Sequence, residues 1–308
     1  MRNTSISRFK KLKFRIKNMA GTKPNTEIKN TVGRKPNTEI KRLIPRYWYW
    51  YIRSCTDMND GELDILFAED GNGDKYVKVG RPMIFESIRA KGTTPSDGKH
   101  RLRKFNLIDK VDNHPSFSGS KKIFTSPFWD LIQSNPNDLN KNNEILDALF
   151  ERLNLTRLAV DHEYFWEFMN VPANPKNRKG ISQHYISEFE HSFNLAISNI
   201  PDNLDLLALI GALYRESCLT FQLSNANVLS NYFQMISDVC LNTKWENPAG
   251  ALLWEIAHER VIYGNFKYVT SMRDKDNIYK NIPKSFGVIV NKLDQRYIDR
   301  FESNTTKV

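Results

Sequence analysis

Cysteine is scarce in this sequence. Its 308 residues include three cysteines, Cys55, Cys218 and Cys240, which are far apart along the chain. Their spacing matches neither a disulfide framework nor a zinc-binding motif. We therefore expect three free thiols and a reducing, cytoplasmic environment.

Long hydrophobic runs and catalytic signatures are also missing. The longest apolar stretch, residues 204–213, contains Asp205 and is followed by Arg215 and Glu216, so we expect no membrane span. The sequence has no Gly-rich phosphate loop, no nucleophile elbow and no zinc-protease helix. It predicts no cofactor and no bound metal, and it favours a non-enzymatic function.

Acidic residues are nearly absent from the amino-terminal part of the chain. Residues 1–46 hold 14 Lys and Arg but only Glu27 and Glu39 as acids. Because the whole chain has 45 basic and 35 acidic side chains, the remaining residues hold 31 and 33 and are nearly neutral. A neutral body with a basic arm is typical of proteins whose arm binds a polyanion.

The arm contains a basic amphipathic segment at residues 6–17 and a duplicated unit, KPNTEIK, at 23–29 and 35–41. The first segment fits a nucleic-acid arm, a membrane-surface helix or a targeting segment. We favour nucleic acid because its apolar face is short and lacks Trp. Each repeat is either part of a solvated linker or a cationic turn whose Asn and Glu suit a helix start. Pro45 is expected to limit any helix that begins at Thr38.

An aromatic cluster, YWYWYIR, follows the arm at residues 47–53. If exposed, it would offer a stacking platform for unpaired bases. If buried, it would join the arm to the body, and burial is the more common role of adjacent aromatic residues. We favour burial.

Residues 61–79 predict a β-hairpin, because two β-prone runs flank the turn sequence EDGNGD. Residues 89–122 form a second basic stretch, with nine Lys and Arg against three Asp. We interpret it as a basic loop that contacts phosphates. From residue 140 onward, apolar residues recur at helical spacing between Pro- and Asn-rich breaks.

The predicted fold is mainly α: a flexible basic arm (1–46), a small α+β region with the hairpin and basic loop (47–135), and an all-helical, antiparallel domain (136–308). In the helical part, Arg157…His162 in RLAVDH and Arg178…His184 in RKGISQH match the pattern R-x(4–6)-H. This pattern resembles the signature of HEPN-type helical ribonucleases. The resemblance implies metal-independent RNA cleavage, with Arg157 and His162 as the better catalytic pair.

The function expected from the sequence is nucleic-acid binding by a non-catalytic accessory or regulatory protein, with DNA favoured over RNA. The alternatives are the HEPN-like ribonuclease and a protein-interaction subunit of a larger complex. The residues expected to contact nucleic acid are Lys10, Lys11, Lys13, Arg15, Lys23, Arg34, Lys35, Lys41, Arg42, Lys99, Arg101, Arg103 and Lys104.

Overall fold

A computed structural model describes eight stretches of the chain, and these are mostly helical. The described residues are 36–67, 84–95, 106–159, 190–201, 203–220, 223–242, 248–264 and 287–291. The predicted mainly helical character is confirmed for these residues, whereas the antiparallel arrangement of the helices stays a prediction. By its contacts the chain divides into two units, Met1–Thr38 and Glu39–Val308.

The first helix, α1 (Pro36–Ser54), begins inside the second copy of the duplicated unit. Pro36 is a favourable first helical residue, and Glu39 lies in the first turn, where its charge complements the helix dipole. Ile40 and Leu43 are buried in the core, so the body begins within the predicted arm rather than after residue 46.

Pro45 does not end this helix, contrary to the sequence-based expectation. A proline inside a helix removes one backbone hydrogen bond and costs about 3 kcal/mol. Tyr47, Trp48 and Ile52 follow on the buried side of α1, and burying such side chains contributes about 1.5–3 kcal/mol each. Packing of this face therefore outweighs the local cost of the proline.

Most of the aromatic cluster is buried, as predicted: Tyr47, Trp48 and Tyr49 are buried, and Trp50 and Tyr51 are half-buried. Trp48 is fully buried, and its ring stacks on Phe85 with centroids 6.1 Å apart. The Tyr47 ring meets the edge of Trp129, and its hydroxyl donates to the carbonyl of Cys240 at 3.0 Å. These contacts join α1 to segments far along the chain.

Residues 60–66 form a helix, α2 (Asp60–Leu66), so the first strand of the predicted hairpin is wrong. Asn59 accepts from the amide of Glu62, and the Glu62 carboxylate accepts from the amide of Asn59. This capping box was present in the sequence as N-D-G-E and outweighs the β propensity of LDILFA. The remainder of the predicted hairpin lies outside the described residues.

The predicted basic loop at 89–122 contains several folded elements. It includes the end of α3 (Ile84–Lys91), all of α4 (Leu107–Asp112) and two 3₁₀ turns, Pro115–Phe117 and Ser120–Ile123. Asn106 caps α4 by accepting from the amides of Ile108 and Asp109. Residues 96–105 of this stretch lie outside the described part of the chain.

The centre of the core is a helix that is buried along its whole length. This helix is α7 (Leu204–Leu219). Helices α5 (Phe128–Gln133) and α6 (Leu139–Arg152) precede it in the chain. A Cβ added at Gly211 of α7 would lie 2.8 Å from Leu131 and 2.9 Å from Phe233. Glycine therefore permits the close approach of α7 to its neighbours.

Two further helices pack in the described core, and each ends in a π-helical segment. They are α8 (Leu223–Ser237), continued by Asp238–Asn242, and α9 (Pro248–Ala257), continued by His258–Tyr263. Residues 190–197 are also helical. Within the described ranges, no helix has both the length and the hydrophobicity needed to cross a membrane.

The region predicted to be all-helical also contains strands. Strand β1 (Leu155–Ala159) pairs antiparallel with β2 (Gly287–Asn291), and Leu155 lies opposite Asn291. Asn154, with φ of 56°, separates α6 from β1. Because the partner strand is so distant in sequence, helical periodicity gave no signal of this pairing.

Candidate nucleic-acid interface

Two of the predicted nucleic-acid-binding residues, Lys41 and Arg42, lie in the described part of the chain. Both are exposed on the first turns of α1. The other predicted residues lie outside the described ranges: Lys10, Lys11, Lys13, Arg15, Lys23, Arg34, Lys35, Lys99, Arg101, Arg103 and Lys104.

The end of α3 packs directly against this part of α1. Gly92, with φ of 64°, follows α3, and its amide donates to the Ile88 carbonyl at 2.9 Å. A Cβ at Gly92 would lie 2.3 Å from the carbonyl oxygen of Arg42. Arg46 extends from α1 and donates from Nη2 to the Ala90 carbonyl at 2.5 Å. Glycine is therefore required both by the backbone angle and by the close approach to α1.

This contact brings cationic residues from two helices together. We call Lys41, Arg42, Arg46 and Lys91 the basic surface; Lys41, Arg42 and Lys91 are exposed, and Arg46 is half-buried. In sequence, the cation-rich residues 1–35 end immediately before α1. The basic surface therefore contains three cations from α1 and one from the end of α3.

Arg89, the neighbouring cation on α3, has a partner within the fold. Its Nε lies 2.9 Å from Oδ2 of Asp60, and this hydrogen bond raises the pKa of Arg89. Tyr49 donates its hydroxyl to the other oxygen of the same carboxylate. We therefore assign Arg89 to the packing of α1, α2 and α3 and leave it out of the basic surface.

An open cleft of about 570 Å³ lies beside Lys41, which is one of its lining residues. Its walls come from three segments of the chain: the start of α1, residues 124–133 including α5, and α6 from residue 141 to 148. The lining is partly apolar, with Ile44 and Phe124 half-buried, and partly charged. A cleft of this size falls within the range of about 300–1,000 Å³ that is common for ligand sites.

The predicted catalytic residue Arg157 lies on β1 rather than on a helix. Its two terminal nitrogens each lie 3.3 Å from an oxygen of Glu216, a fully buried residue of α7. The guanidinium also lies 4.6 Å from the centre of the Phe150 ring. These contacts attach the Arg157 side chain to α7 and α6, while His162, Arg178 and His184 lie outside the described residues, so the catalytic pair stays a prediction.

Two other buried basic groups also have partners in the core. Arg215 is fully buried and donates to the Ser134 hydroxyl at 2.7 Å and to the Leu131 carbonyl at 2.9 Å; burial lowers its pKa to about 10. The His258 ring stacks on Trp254 with ring centres 3.9 Å apart, and His258 Nδ1 forms a hydrogen bond with the backbone carbonyl of Trp254. Burial lowers the pKa of His258. Over the described ranges, no cluster of His, Cys, Asp or Glu could hold a metal ion.

Sequence reasoning did not find the cleft. Its lining residues come from residues 41–44 and from residues 124–148, about 80 positions further along the chain, and individually they look like ordinary core or surface residues. Trp129 and Phe124 carried no motif, and Lys141 belonged to no basic run. Only the folded arrangement brings these side chains together.

Comparison with known proteins gives no match: no family model fits the chain, and neither a curated protein nor a solved structure is significantly similar to it.

Proposed function

We propose that this protein binds nucleic acid through the basic surface, together with the cationic residues of the arm and of the 96–105 segment. The contact between Gly92 and Arg42 is the observation that carries the proposal. It joins two stretches whose positive charge is the main compositional feature of the chain. Phosphate contacts of Lys and Arg supply most of the affinity in such complexes.

The proposed role is binding rather than catalysis, and the sequence favours DNA over RNA as the ligand. Lys41 and Arg42 are exposed, so their charges are available to phosphates. The ribonuclease alternative stays a prediction, because His162 lies outside the described residues. The contacts of Arg157 with Glu216 and Phe150 do not favour it.

The experiment that tests this function compares the salt dependence of binding in two variants. Each phosphate neutralised on duplex DNA contributes about 0.9 to the slope of log affinity against log salt. Replacing Lys41 and Arg42 with Gln should therefore lower the slope by up to about 1.8. Affinity is measured by fluorescence anisotropy with a labelled duplex over a series of salt concentrations.

The matched control replaces Lys121 and Lys122 with Gln. These are also adjacent, exposed cations, and they lie on a 3₁₀ turn at the end of the 89–122 stretch, outside the basic surface. Lys121 pairs with Asp109 at 2.6 Å, and the total charge of the protein changes by the same amount. We expect an unchanged slope for this control. Equal slopes in both variants and the wild type would refute a role for the basic surface.

A further inference from the structure

The cleft beside Lys41 has an apolar floor. Ile44, Phe124 and Pro127 are half-buried and line it, and the buried residues Trp129 and Ile145 line it as well. The Phe124 ring is held in place by Trp48, whose centroid is 5.5 Å away. A flat apolar ligand, such as a nucleic-acid base, gains stacking and apolar contact on a floor of this kind.

The rim of the cleft carries charged and polar groups. Lys41 and Lys141 both line it, and the ammonium group of Lys141 is 2.9 Å from Glu144. This hydrogen bond raises the pKa of Lys141. Asp130 and Gln133 also line the cleft and supply acceptors for the N–H groups of a base edge. Because Lys141 pairs with Glu144, Lys41 is the lining cation assigned to a negative group, and the combination fits a flat, partly polar ligand whose negative group lies beside Lys41.

One wall of the cleft is held firmly by Arg152 of α6. Its guanidinium donates to the carbonyls of Lys122 at 3.0 Å and Thr125 at 3.3 Å, and to the Thr125 hydroxyl at 3.1 Å. Asp205 accepts from Arg152 at 2.5 Å and from the Ser126 hydroxyl at 2.6 Å. Because the wall is already ordered, a ligand would bind with a small entropic cost.

From these features, we infer that the cleft accepts an unpaired base of single-stranded nucleic acid, with the adjoining phosphates on Lys41 and Arg42. This inference rests on the proposed function, since Lys41 belongs to both the basic surface and the cleft. Bases in a duplex are stacked and paired, so they cannot enter without being extruded. Single strands should therefore gain a contact that duplexes lack.

The test blocks the cleft without changing its charge. Ala148 is exposed on α6 and lines the cleft, so Ala148→Trp fills the space without disturbing the core. The matched control is Asn140→Trp, at an exposed position of α6 that does not line the cleft. Binding of the full-length chain is measured with labelled single-stranded oligo-deoxythymidine and with its duplex with oligo-deoxyadenosine. Circular dichroism and urea unfolding verify folding, and Ala148→Phe repeats the test if the Trp variant unfolds early.

We expect Ala148→Trp to weaken single-strand binding at least about fivefold, which corresponds to about 1 kcal/mol, the lower end for one stacked base. Duplex binding and the Asn140→Trp control should stay unchanged. The cleft inference would be overturned if all variants bound the single strand with equal affinity. If duplex binding still depended on the charges of the basic surface, the proposed function would stand. If the wild type binds neither probe, both are overturned.

Discussion

The ion pair between Arg157 and Glu216 gives a sharp test of whether Arg157 is structural or catalytic. Glu216 is fully buried on the central helix α7, and the Arg157 side chain is 16 % exposed. Replacing Arg157 with Met would leave the Glu216 carboxylate buried without this partner. Breaking a buried pair in this way costs about 3–5 kcal/mol, a large share of the 5–15 kcal/mol that stabilises most proteins.

This cost is large enough to measure by urea unfolding. With an m-value of about 3 kcal/mol/M, a loss of about 3 kcal/mol lowers the midpoint by about 1 M. The double variant Arg157→Met with Glu216→Leu removes both charges, and it should recover most of the loss. Single-variant and double-variant midpoints thus give the coupling energy between the two residues.

The exposed pair Lys141–Glu144 serves as the control. Its side chains are 42 % and 68 % exposed, and such surface pairs contribute about 0–1 kcal/mol. Lys141→Met should therefore change the midpoint only slightly. If Arg157→Met costs no more than Lys141→Met, the structural assignment is wrong. A loss of RNA cleavage without a loss of stability would instead support the ribonuclease alternative.

Two further predictions concern the start of the body and a buried histidine. Removing residues 1–38 should leave the body folded, whereas removing residues 1–46 should unfold it. The second truncation deletes the core residues Ile40 and Leu43, and each deleted side chain of this size costs about 2–5 kcal/mol. Urea unfolding of both truncated proteins checks this prediction, and equal midpoints would contradict it. Burial lowers the pKa of His258 below its ordinary value of 6.5, so the unfolded chain binds more protons and stability should fall as the pH decreases below about 6.5. The His258→Gln variant should lack this loss of stability at low pH. A stability difference between wild type and variant that stays constant from about pH 8 to pH 5 would disprove that the pKa of His258 is lowered in the folded protein.

Local patterns in the sequence predicted much of the helical structure. The apolar spacing from residue 140 onward predicted helices, of which α7 is one, and burial of the 47–53 cluster was anticipated from its aromatic content. The capping box of Asn59 and Glu62 was also readable, but the β propensity that follows it led to the hairpin prediction. Competing local signals therefore caused this error.

Long-range features could not be predicted from local patterns. The helix continues through Pro45 because Trp48 packs on Phe85, a residue of another helix. The pairing of Leu155 with Asn291 joins distant parts of the chain. The approach of Gly92 to Arg42 is of the same kind, so the basic surface and its neighbouring cleft became visible only in the folded chain.

The most direct test of the central claim is the affinity of the full-length protein for nucleic acid as a function of salt. We predict measurable binding of both single-stranded and duplex probes, with log affinity falling linearly as log salt rises and a slope that reflects several phosphate contacts. Replacing Lys41 and Arg42 with Gln should make that slope shallower. Absence of binding at low salt, or an affinity that does not respond to salt, would contradict the account.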